Sequence, residues 1–325
     1  LIAFAGAISL FLGNWSLPLL FIVYFFINSL YKSNILDPRS KAYGLDYTNK
    51  KEAPAYSKEN IDRMVSPENL QHDKNNYINI LNNWKERQAT DSPVIFILNV
   101  SGGGMRSATF TMEVLQKLDS LTHGKMMNQT ILITGASGGM IGATYYRSLY
   151  IAKQTDSTIN LHDKKYAGTI SKDLLNPIFS SFVSRDLIGP VRKVNINGYE
   201  YIRDRGFSFE EKLNLNTRGI LNKKLGDYSQ EEFSGKAPIL FFNTIVTGDA
   251  RAMIIGTHPA RFLMQASPDS SGFISTDIDA IDYVSFFKNQ NPLNLRLLSA
   301  IRMNATFPYV LPNVWLPTKP AVDVM

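Results

Sequence analysis

Hydrophobic and polar positions divide the chain into an apolar opening, a polar connector and a long mixed remainder. No charged residue occurs over residues 1–31, which include FAGAISLFL and LPLLFIVYFFI. One bilayer crossing takes about 20 apolar residues. The run also lacks the basic residues and small-residue cleavage site of a signal peptide. The pattern predicts a transmembrane region over 1–31, with Gly13, Asn14, Trp15, Ser16 and Pro18 separating the tail of one helix from most of a second. A buried hairpin of two core helices is the alternative. Leu1 is not an initiator methionine, so the expectation is a chain that begins inside a longer membrane region. In the flank, Lys32, Arg39, Lys41, Lys50 and Lys51 outnumber Asp37 and Asp46. By the positive-inside tendency this predicts an integral membrane protein whose remaining domain is cytoplasmic.

Residues 32–65, polar and punctuated by Pro38 and Pro54, read as a juxtamembrane linker. Beyond it, residues 66–325 read as one domain. Ser66 and Pro67 suit a helix start, and Leu70, Tyr77, Leu81 and Trp84 share one helical face. PVIFILNV at 93–100 predicts a strand buried on both faces. Ala108, Met112, Leu115 and Leu118 predict a helix to about Leu121, and TILIT at 130–134 a second strand. Strand, Gly-rich turn, helix, strand, sharp turn and helix make a βαβ unit with a further helix attached. Residues of about 153–236 carry a weaker pattern and read as a cap or insertion. APILFFNTIV and RAMIIG then predict adjacent strands, LNLRLLSAIRMNATFP a helix ended by proline, and WLPTKPAVDVM another strand.

Composition changes this picture little. A hydrophobic content of 44% supplies a substantial core. The net charge of +6 comes without an arginine-rich tract, so nucleic acid is not an expected partner. The absence of cysteine excludes disulfides, thiol nucleophiles and cysteine-based zinc sites.

Two glycine-rich turns carry the candidate chemistry. GASGG at 135–139 fits G-x-S-x-G, in which Gly135 and Gly139 leave room for Ser137 on a tight strand-to-helix turn that projects its hydroxyl. A glycine-rich corner with an incidental serine is the bland alternative. SGGGMR at 101–106 lies one strand and one helix earlier, so adjacent parallel strands would bring both turns to the carboxyl edge of one sheet. Its successive glycines allow backbone N–H groups to converge as in an oxyanion hole. It fits neither common nucleotide-binding glycine pattern. Arg106 is either a solvated helix residue or a residue that steadies the loop or meets a lipid phosphate.

GGGMR followed by GASGG one βα unit later resembles the patatin-like phospholipase family, with similarity extending over 93–325 and including PILFFNTIVTGDARAMII and NATFPYVLP. The resemblance implies a three-layer α/β/α fold with a central, mostly parallel sheet. It also implies a Ser-Asp dyad without histidine, hydrolysis of lipid acyl esters, and no cofactor or metal. Membrane lipid and the bilayer become the expected partners. Ser137 would be the nucleophile, Gly102, Gly103, Gly104 and Met105 the oxyanion loop, and Arg106, Gly135 and Gly139 its support. The family's aspartate precedes glycine, and no Asp-Gly pair occurs in this chain. The expectation is that this aspartate lies beyond Met325, with Asp323 as second choice for the base. Three alternatives stay open: a Ser-His-acid triad through His258 or His162, an inactive scaffold of the same fold, and, for Asp277, Asp279 and Asp282, a calcium loop or a solvated acidic turn.

Overall fold

In the computed structural model, which describes residues 2–32, 39–186, 192–265 and 277–325, the chain divides into two units, Leu1–Arg39 and Ser40–Met325. The first contains α1 (Ile2–Leu12), a 3-10 turn (Gly13–Trp15) and α2 (Ser16–Lys32). This corrects the expected transmembrane region and, with it, the integral membrane assignment. Among the described residues no helix is long and apolar enough to cross a membrane. The physical reason is the interruption: 17 residues rise about 25 Å, short of a hydrocarbon core of about 30 Å, and the turn at Gly13 prevents α1 from adding to that length.

The second unit begins with a segment whose Ala42, Tyr43 and Leu45 are fully buried. Helices α3 (Lys58–Met64) and α4 (Pro67–Glu86) follow, each started by a serine whose side chain accepts from a first-turn N–H: Ser57 from Asn60, Ser66 from Asn69. The βαβ unit then runs through β1 (Phe96–Val100), α5 (Gly104–Leu121), α6 (Met126–Gln129), β2 (Thr130–Gly135) and α7 (Ser137–Lys153). Residues 153–236 hold α8 (Lys165–Ile170), α9 (Leu175–Ser181), the antiparallel hairpin β3 (Lys193–Ile196) and β4 (Tyr199–Ile202), α10 (Arg205–Asn216) and α11 (Ser229–Phe233). The remainder supplies β5 (Ile239–Ile245), β6 (Ala252–Ile255), β7 (Ala280–Asp282), α12 (Tyr283–Phe286), α13 (Leu297–Asn304), β8 (Val314–Leu316) and β9 (Val322–Val324).

The central sheet has the order β1-β2-β5-β6-β7, parallel except where β5 and β6 pair as an antiparallel neighbouring pair. The fold is therefore mixed α/β around a mostly parallel sheet. On one face, Ile133, Leu240, Phe242, Met253 and Ile255 join Met112 of α5 and Met140 of α7 in the main core. On the other, Ile239 and Phe241 pack with Ile80 of α4 in a smaller cluster. β1 departs from its expected burial: Ile97 is 62% exposed on this edge strand.

Two buried ion pairs tie the periphery to this core. Arg147 of α7 binds Glu232 of α11, and Arg302 of α13 binds Glu210 of α10 while donating to Ser40 Oγ and the Lys41 carbonyl. The second pair fixes the helix that reaches the candidate site.

Candidate active site

The site is built where β1 and β2 end. Their register pairs Val100 with Gly135, and the Ala136 N–H donates to the Val100 carbonyl at 3.1 Å, so the two glycine-rich turns leave the sheet side by side. Gly135 has φ +146°, and a Cβ there would lie 2.0 Å from the Val100 carbonyl oxygen, so only glycine fits. The chain then turns sharply, and Ser137 opens α7 with φ +53°, a left-handed conformation that an L residue adopts at a cost.

The two helices leaving these turns are in backbone contact. A Cβ on Gly138 would sit 1.9 Å from the Gly104 carbonyl oxygen, and one on Gly142 would sit 2.3 Å from that of Ala108. Small residues four apart on α7 thus meet small residues four apart on α5. This brings both helix N-termini to one place, where first-turn N–H groups lack intrahelical acceptors and the helix dipoles favour negative charge.

Gly102 lies against the serine: a Cβ on it would be 3.3 Å from Ser137 Cβ and 3.9 Å from its Oγ. Gly103 and Gly104 follow with φ +143° and +60°, and Met105 and Arg106 complete the first turn of α5, with Arg106 exposed. Ser107 holds this loop, its Oγ donating to the Ser101 carbonyl at 2.7 Å. The structure therefore brings together Ser137, Gly102, Gly103, Gly104, Met105, Gly135 and Gly139.

Asn304, at the end of α13, was not singled out by the sequence. Its Oδ1 accepts the Ser137 N–H at 2.8 Å, and its Nδ2 donates to the carbonyls of Gly135 at 2.9 Å and Asn243 at 2.7 Å. One buried amide therefore spans the end of β2, the end of β5 and the start of α7. It also occupies the N–H of Ser137, so that group is not free to donate elsewhere. Gly138 is a second residue that the sequence reading passed over, although it stands beside the serine in GASGG.

Asp323 lies on β9, its carboxylate accepting from Thr247 Oγ1 and, at 2.8 Å, from Asn313 Nδ2. Beyond it, Met325 exchanges backbone hydrogen bonds of 3.0 and 2.9 Å with Ile245. The strand therefore runs antiparallel along the end of β5, in the direction of Asn243. The histidines are engaged elsewhere. His258 Nε2 is 3.2 Å from the Ser229 carbonyl, and burial holds its imidazole below the ordinary value. His162 Nε2 is 3.1 Å from Asp119 Oδ2. In the acidic segment, Asp282 caps α12 by accepting from the Ser285 N–H at 2.8 Å, and also accepts from Ala260 at 3.1 Å. That is the work of a structural cap.

Neither protein-family models nor curated proteins match the chain. Among solved structures it is similar to human GIVD cytosolic phospholipase A2 in complex with methyl gamma-linolenyl fluorophosphonate and terbium chloride. The identity is 14%, the TM-score 0.32, and the likeness covers 80% of this chain and 40% of that one. This chain thus spans well under half of that protein's length. A likeness at that level does not bear on function, which has to be read from the site.

Proposed function

We propose that the protein is a serine acyl hydrolase of the patatin-like type, acting on lipid esters. The observation that supports this best is Ser137 itself. A serine held at φ +53° on a strand-to-helix corner costs about 1–3 kcal/mol, and Gly135, Gly138 and Gly139 clear the space that the corner needs. A strained residue between two helix N-termini is the arrangement of a nucleophile turn.

In this reading Ser137 Oγ attacks the ester carbonyl carbon, and the N–H groups of Gly102–Met105 and Gly138 receive the developing oxyanion. The serine proton passes to a carboxylate; Asp323, the second choice for this base, is the candidate among the described residues, although its carboxylate is held by Thr247 and Asn313, and catalytic hydrogen bonds are often formed fully only in the substrate complex. The alcohol leaves with a proton, and water then releases the acid from the acyl-enzyme. A histidine-based triad is the weaker reading, because the Nε2 atoms of His258 and His162 are engaged with the Ser229 carbonyl and with Asp119 rather than with Ser137.

The test is a fluorophosphonate probe followed by digestion to locate the adduct. Labelling is expected at Ser137, lost in Ser137→Ala and kept in His258→Ala. Asp323→Asn is expected to abolish ester turnover with the fold retained. A folded protein that takes no label overturns the hydrolase reading, and undiminished turnover in Asp323→Asn removes Asp323 from it.

A further inference from the structure

On the sheet face away from α5 and α7, α4 and the 3-10 turn Arg261–Leu263 leave an apolar groove of about 390 Å³. Tyr77, Leu81, Ile97, Leu132, Phe241 and Phe262 are among its walls. Ile97, Leu81 and Leu263 are 62%, 40% and 38% exposed, so apolar side chains that would normally be covered stand open to solvent. The acyl-transfer chemistry does not by itself use this groove.

We infer that the groove binds an alkyl chain, the acyl chain of the ester attacked at Ser137; this rests on the acyl-hydrolase reading. Three observations select that occupant. Besides the Tyr77 phenol, the lining includes only two polar side chains, Thr134 and Asn243, and Asn243 Nδ2 donates to Thr134 Oγ1 at 3.0 Å, so few polar groups are left to recognise a polar ligand. The strand stretch from Ile239 to Asn243 along the groove measures about 13 Å, the reach of a medium-length alkyl chain. Finally, two residues lining the groove stand close to the site in the fold. Thr134 lies three residues before Ser137, and the Asn243 carbonyl is held by the same Asn304 amide that holds the Ser137 N–H. An acyl carbonyl at Ser137 can therefore send its chain over the ends of β2 and β5 and down this face. Each buried methylene strengthens binding roughly fourfold, so the groove selects for chain length.

The test uses the full chain and the variants Ile97→Trp and Leu263→Trp, which place a larger ring in the groove from half-exposed positions that need no core repacking. Circular dichroism checks that both remain folded. The first measurement is kcat/KM for 4-nitrophenyl acetate and 4-nitrophenyl decanoate. The second is fluorescence binding of 11-(dansylamino)undecanoic acid, which needs no hydrolysis.

The expected result is a wild-type preference for the decanoate that falls at least tenfold in both variants, with acetate turnover within twofold and probe binding weakened at least tenfold. Hydrolysis of both esters with unchanged selectivity and unchanged probe binding overturns the groove assignment alone. Probe binding that the tryptophans abolish, without hydrolysis of any ester, overturns the hydrolase reading and leaves the alkyl site standing. A wild-type dimer in sedimentation velocity that Ile97→Trp disrupts, with chain selectivity unmoved, assigns the face to a second copy and overturns the proposal.

Discussion

The side-chain oxygen of Asn304 accepts the backbone N–H of Ser137 at 2.8 Å, although 167 residues separate them in sequence. The bond fixes the candidate nucleophile from outside its own βα unit. It also removes the Ser137 N–H from the backbone donors left free at the corner.

Asn304→Ala removes all three hydrogen bonds of this amide and leaves the buried Gly135 carbonyl without this partner, at a cost of about 1–3 kcal/mol. The variant is expected to fold with a lowered Tm and to lose at least tenfold in the rate of fluorophosphonate labelling at Ser137. A lowered Tm with an unchanged labelling rate would make Asn304 a purely structural residue.

Ser137→Gly relieves the left-handed backbone at φ +53°. Stability is expected to rise by about 1 kcal/mol, since strain at such a position exceeds the entropic cost of glycine. Labelling is expected to vanish. Thermal melts of the wild type, Ser137→Gly and Ser137→Ala should therefore rank the glycine variant highest, and a glycine variant below wild type would count against strain at the corner.

His258 gives a pH dependence whose sign follows from burial. Its folded-state pKa is depressed, chiefly by desolvation, with the Ser229 carbonyl opposing. The folded protein thus binds this proton less readily than the unfolded chain does. The contribution to stability is complete above the unfolded value of about 6.5 and is lost as the pH falls below it toward the folded value. In His258→Gln this loss is absent, so the Tm difference from wild type should move in the variant's favour between pH 8 and pH 5.5. A constant difference would refute the assignment.

Glu210→Ala isolates Arg302, a fully buried cation whose Nε lies 2.8 Å from Glu210 Oε1. Removing one partner of such a pair costs about 3–5 kcal/mol. Since α13 carries Asn304, Ser137 labelling is expected to fall together with the urea midpoint. An unfolding free energy within about 0.5 kcal/mol of wild type, the range of neutral surface substitutions, would mean that Arg302 is not left uncompensated.

The βαβ unit was legible because its signals are local. A run of β-branched residues ending in glycines marks β1 and β2, and helical spacing from Ala108 to Leu118 marks α5. The corner at Ser137 was legible for the same reason. Asn304 was not, because a side-chain hydrogen bond across the fold leaves no periodic trace. The apolar opening misled, since composition over 31 residues outweighed the turn at Gly13 that divides it. The exposure of Ile97 was also hidden, because a strand's sequence does not record whether it lies at an edge.

The glycine-to-carbonyl contact between α5 and α7 has a mechanical consequence. With Gly138 and Gly142 seated on the carbonyls of Gly104 and Ala108, neither turn can shift without carrying the other. In the acyl-hydrolase reading, the proposed nucleophile and oxyanion donors would form one block assembled at folding, with no rearrangement needed between them. On heating, the ability of Ser137 to react is expected to persist almost unchanged up to the melting transition and to disappear within it, as fluorophosphonate labelling followed against temperature would show.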